Sequence, residues 1–76
     1  MNAARRKDLA RAVTLIEEAQ AIIEQASSDE QDAHEAISDR FPGSEQEATL
    51  SESSSALMDA EAACADVLSY IETASA

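Results

Sequence analysis

Seventy-six residues allow one small domain, and sixteen Asp and Glu against five Lys and Arg give a formal net charge of −11. One Cys and one His exclude an intrachain disulfide scaffold and a four-ligand zinc site, and a single Gly excludes a phosphate-cradling glycine loop. Without a D-x-D-x-D-G loop or an apolar run near the ~18 residues of a membrane span, the expectation is a cytoplasmic protein with no metal, no cofactor and no catalytic residues.

The charge is uneven. Residues 1–11 hold Arg5, Arg6, Lys7 and Arg11 against Asp8, a balance of +3, whereas residues 12–76 hold fifteen acids against Arg40 alone, a balance of −14. Such a body repels nucleic acid and anionic membrane and attracts basic protein surfaces. Of 34 hydrophobic residues 17 are Ala, so the supply of larger core side chains is thin for a chain that must fold alone.

The first element is a long helix over about residues 4–40. At 100° per residue, Leu9, Ala12, Val13, Leu15, Ile16, Ala19, Ile22, Ile23 and Ala26 fall on one half of the cylinder, and Thr14, Glu17, Glu18, Glu24 and Gln25 on the other. Two interlaced stripes share the apolar half, Leu9/Val13/Ile16/Gln20/Ile23 and Ala12/Leu15/Ala19/Ile22/Ala26, so the helix has two seams with which to touch neighbours. Ser27-Ser28-Asp29 is its weak point. There the helix either continues or breaks, with Ser28 and Gln31 as a capping box that restarts it.

Pro42-Gly43 is the strongest break in the chain and sets a hinge at residues 41–44. Ser44-Glu45-Gln46-Glu47 then matches an S-x-x-E capping box and opens a second helix over about residues 45–73. Its apolar face carries Leu50, Ala56, Leu57, Ala60, Ala63, Cys64, Val67, Leu68, Tyr70, Ile71 and Ala74. A short connection makes the two helices antiparallel neighbours. The expected fold is an all-α antiparallel helical hairpin, one acidic domain over residues 1–76, dimerising into a four-helix bundle. The residues expected to form the core and the self-association surface are Leu9, Val13, Ile16, Ile23, Leu57, Cys64, Val67, Leu68 and Ile71.

Glu45, Glu52, Asp59 and Asp66 recur every seven residues, and Glu17 and Glu24 repeat that spacing. On a helix such a row rises about 10.5 Å per step. It resembles a polyanionic rod able to take the place of nucleic-acid phosphates in a basic channel, although adjacent phosphates lie closer together. The other reading of the same rows is a solvated outer face that keeps the protein soluble. His34 is expected at the edge of the first apolar face, near the hinge. Phe41 is expected to plug the hinge end. The Tyr70 hydroxyl is expected near Arg5, Arg6 or Asp8, with the basic N-terminus pairing to acids at the end of the second helix.

The order Arg5-Arg6-Lys7, Leu15-Ile16-Glu17-Glu18-Ala19, Asp29-Glu30-Gln31-Asp32-Ala33, Phe41-Pro42-Gly43-Ser44-Glu45-Gln46-Glu47 and a final Tyr70-Ile71-Glu72-Thr73-Ala74 resembles small acidic two-helix proteins encoded by phages and prophages, a mostly uncharacterised group. The resemblance implies a helical hairpin in a phage or mobile-element setting and supplies no catalytic residues. Together with the charge it leads to the expectation of a non-enzymatic accessory protein that inhibits a host defence or DNA-processing protein through its acidic surface. The alternative is a structural or assembly module that works through its apolar faces.

Overall fold

The computed structural model describes all residues, Met1–Ala76, and contains two helices, α1 (Ala3–Arg40) and α2 (Glu45–Ser75). They lie antiparallel in a rod of 56 × 15 × 13 Å. The long dimension is that of α1 itself, since 38 residues at about 1.5 Å each span about 57 Å.

Each helix start has a side-chain cap. Asn2, extended and outside the helix, accepts from the Arg5 N–H through Oδ1 at 2.9 Å. The sequence reading, which started the helix near Ala4, did not use this cap. Ser44 does the same for α2, its Oγ accepting from the Glu47 N–H at 3.1 Å. Only half of the expected capping box forms. The Ser44 N–H donates to the Phe41 carbonyl at 3.3 Å, so Glu47 has no donor to reach back to, and its Oε2 is buried without a partner. That bond closes a four-residue turn with Pro42 second and Gly43 third. Gly43 takes φ +78, the pattern of a type II turn, which demands a positive φ at its third residue.

α1 runs unbroken through Ser27-Ser28-Asp29. Two local features oppose a break there. The Gln25 amide donates to Asp29 Oδ1 at 3.0 Å, spanning the weak turn at the i, i+4 spacing that supports helices. Ser27 faces α2 and is the one residue in the chain classed as buried, at 7% exposure.

The half-buried and buried positions define the seam between the helices. Beside the flanking small residues Ala12, Ala26, Ala33, Ser38, Ser53 and Ala60, which are also half-buried, they fall on α1 at Leu9, Val13, Ile16, Gln20, Ile23, Ser27, Glu30, His34 and Ile37. On α2 they fall at Glu47, Leu50, Ser54, Leu57, Glu61, Cys64, Leu68, Ile71 and Ser75. Both sets alternate steps of three and four, the spacing of coiled-coil packing. No apolar side chain is fully buried. Every side-chain hydrogen bond spans three or four residues of one segment, so none crosses from α1 to α2.

A methyl added at Gly43 meets nothing within 4 Å, so the cost of Gly43→Ala is that of the positive φ alone. The variant should lose about 1 kcal/mol of stability with its helicity unchanged, read by chemical denaturation followed by circular dichroism.

Candidate functional site

The seam divides the rest of the surface into two broad faces and two outer edges. Two shallow hollows show which flanks of α1 and α2 share a face. One hollow is lined by Ala26 and Asp29 of α1 with Ser53 and Ala56 of α2, above Glu30 and Leu57. The other is lined by Ala10 and Glu17 of α1 with Glu72 of α2, above the seam positions Leu9, Val13, Leu68, Ile71 and Ser75, with Arg6 at its end. Stepping by sevens from these residues assigns the remainder of each flank.

The first face is poor in charge. It carries Ala12, Leu15, Ala19, Ile22, Ala26, Asp29, Ala33 and Ala36 from α1, and Ser53, Ala56, Ala60, Ala63, Val67, Tyr70 and Ala74 from α2. Its large side chains stand out into solvent: Leu15 is 53% exposed, Ile22 71%, Val67 41% and Tyr70 72%. The opposite face carries Glu17, Glu24 and Glu72. The sequence pattern therefore held two apolar stripes on α1, of which Leu9/Val13/Ile16/Gln20/Ile23 forms the seam with α2, while Ala12/Leu15/Ala19/Ile22/Ala26 flanks it and leaves Leu15 and Ile22 exposed.

All six acids of the heptad rows, Glu17, Glu24, Glu45, Glu52, Asp59 and Asp66, are exposed. They do not form one surface. Glu45, Glu52, Asp59 and Asp66 run along the outer edge of α2, on the side of that helix turned away from α1, because each stands two residues from the nearest seam positions. Glu17 and Glu24 lie on the broad charged face instead. Glu72 joins them there, a residue the row spacing did not include. Its signal was the step of seven from Met58 and Ala65, which flanks the seam of α2 on the side that α1 presents Glu17.

Of the residues expected in the core, Leu9, Val13, Ile16 and Ile23 and, on α2, Leu57, Cys64, Leu68 and Ile71 are half-buried along the seam, and Cys64 is a free thiol. Val67 is exposed on the apolar face. His34 lies in the seam rather than at its edge, half-buried four residues from Glu30.

Three local expectations fail. Tyr70 points away from α1 on the broad face, and its hydroxyl makes no hydrogen bond to Arg5, Arg6 or Asp8, because residue 70 lies a third of a turn from the seam position at Ile71. Phe41 does not plug the hinge. It is 60% exposed, since α1 ends at Arg40 and the turn carries the next residue out of the helical phase. The basic N-terminus is the first turn of α1 rather than a tail. Of its side chains Arg6 shares a hollow with Glu72, and none of them hydrogen-bonds a carboxylate.

Neither helix contains a stretch long and apolar enough to cross a membrane, and no three His, Cys, Asp or Glu side chains converge as a metal site would require. No protein family, curated protein or solved structure matches this chain.

The seam is polar at Gln20, Ser27, Glu30, His34, Glu47, Ser54, Glu61 and Ser75, eight of its eighteen positions. Glu61 is half-buried and has Cys64 and Leu57 as seam neighbours. Glu61→Leu should therefore stabilise the hairpin by about 1 kcal/mol, part of the 1.5–3 kcal/mol of a fully buried Leu, seen as a higher denaturation midpoint at unchanged helicity.

Proposed function

We propose that the protein is a non-enzymatic binding module that presents its acidic surface to a basic partner protein. The observation that carries this reading is the state of the rows: six exposed carboxylates on a body whose residues 12–76 offer Arg40 as their only Lys or Arg. Carboxylates without cationic neighbours project their field into solvent, where it steers and binds a cationic surface. The outer edge of α2 presents Glu45, Glu52, Asp59 and Asp66 as a line along a rigid helix, and the broad face adds Glu17, Glu24 and Glu72. In its narrower form the partner is a host defence or DNA-processing protein in the bacterial cytoplasm. The module would inhibit it by occupying a channel shaped for nucleic acid, without binding nucleic acid or membrane itself.

An assembly role is the second reading, and a separate observation favours it. Leu15, Ile22, Val67 and Tyr70 project from one face of a hairpin that buries no apolar side chain fully. In this reading the acids serve solubility, and function lies in the apolar face.

Salt separates the two. Capture of a basic partner should weaken steeply between about 0.1 M and 1 M salt, as the screening length falls from about 10 Å to about 3 Å. Asp59→Lys combined with Asp66→Lys should abolish that capture in a pull-down from bacterial lysate while circular dichroism stays helical. A double variant that captures the same partner as strongly as the parent would refute the acidic-row mechanism.

A further inference from the structure

We infer that a second copy of this chain covers the apolar face, packed with its turn at the opposite end of the rod, α1 on α1 and α2 on α2. This deepens the assembly reading and is independent of the acidic one.

The surface area argues for an occupant. A compact protein of this mass exposes about 4,500 Å², whereas the hairpin exposes 5551 Å². The excess of about 1,000 Å² is comparable with the roughly 800 Å² that each partner contributes to a stable interface. The excess is not spread evenly in kind. Of the seven exposed large apolar side chains, Met1 and Phe41 lie at helix ends and Met58 stands alone on the charged face, while Leu15, Ile22, Val67 and Tyr70 project together from the face with the least charge, and a cluster of four marks an interaction surface.

The identity and orientation of the occupant follow from the order of large and small residues. The large side chains sit in the half of the rod that holds the termini. The half nearer the turn carries small residues and one charge, Asp29, and is hollowed between Ala26, Asp29, Ser53 and Ala56. On α1, Leu15 and Ala33 are equally far from residue 24, and so are Ile22 and Ala26. On α2, Val67 and Ser53 are equally far from Ala60, and the antiparallel register places Ala60 level with residue 24. A two-fold axis through this level, perpendicular to the rod, sets Leu15, Ile22 and Val67 of one copy against Ala33, Ala26 and Ser53 of the other. It brings the two copies of Ala60 together at the axis. Self-complementarity of this kind is what a closed two-fold dimer requires. The opposite choice, with both turns at the same end, sets Leu15 beside Tyr70 and leaves the hollows facing each other. The acidic edge of α2 remains outside the interface. Each copy carries −11, so salt should strengthen the dimer by screening their repulsion, the reverse of its effect on an acidic-surface complex.

The test uses the full chain at micromolar concentration. Sedimentation equilibrium should give twice the chain mass of 8.1 kDa, with the dimer fraction rising with salt. Ile22→Glu should return the chain to its single mass, and the Asp59→Lys/Asp66→Lys variant should remain dimeric. In a Cys64→Ala background, Ala60→Cys should form a disulfide with its own copy on mild oxidation and Ala33→Cys should not. The cysteine test stands even if Ile22→Glu loses helicity. A parent chain that stays at 8.1 kDa at every salt concentration overturns the dimer. A dimer that survives Ile22→Glu overturns the assignment to this face. Failure of Ala60→Cys to cross-link, or equal cross-linking by Ala33→Cys, overturns the arrangement with opposed turns.

Discussion

One line of side chains holds the two helices together. No hydrogen bond crosses between α1 and α2, so their association rests on apolar contact along the seam and on the four-residue turn that tethers them. The seam steps by three and four without interruption for the length of the hairpin, and every other surface takes its position from that phase. Glu45, Glu52, Asp59 and Asp66 lie opposite the seam because each stands two residues from the nearest seam positions, and a step of seven, two of the seam's own steps, keeps them there. The apolar face lies to one side because apolar residues, Ala, Leu and Ile on α1 and Ala, Val and Tyr on α2, occur one position before the seam residues. Shifting either helix by one residue would exchange these surfaces.

A two-helix rod has too little interior to bury a large residue on all sides, which is why Ser27, at 7% exposure, is its one buried residue. Ser at this place has a structural sense. It is small, it lies where α1 is weakest in propensity, and the Gln25–Asp29 bond braces the same turn from the outside. A helix whose tertiary packing overrides poor local preference behaves in this way.

Helix number, helix ends and the position of the hinge were legible in the sequence, because Pro42-Gly43 stands alone in a chain of strong helix formers and the apolar period of 3.5 to 3.6 is long and clear. The choice between the two stripes of α1 was not. Leu15 and Ile22 are as apolar as Leu9 and Ile16, and a single-helix projection cannot tell which stripe faces α2. That depends on the register of the two helices, which the turn sets. The same limit hid the separation of the acidic rows. Glu17 and Asp66 share a spacing but flank their seams differently, a relation visible only once both seams are placed. Tyr70 shows the effect at one residue: adjacent to Ile71 in sequence, it faces solvent while Ile71 faces α1.

The seam is not uniform from end to end, and this bears on how the molecule breathes. Near the termini Leu9, Val13 and Ile16 meet Leu68 and Ile71, while nearer the turn Ser27, Glu30 and His34 meet Leu50, Ser54 and Leu57. The rod is clasped at both ends by different means, an apolar contact at one and a covalent turn at the other, with the most polar stretch of its seam between the middle and the turn. Local opening should begin in that stretch rather than by fraying of the free ends, so the backbone amides around Glu30 and Ser54 should exchange with solvent sooner than those around Ile16 and Leu68.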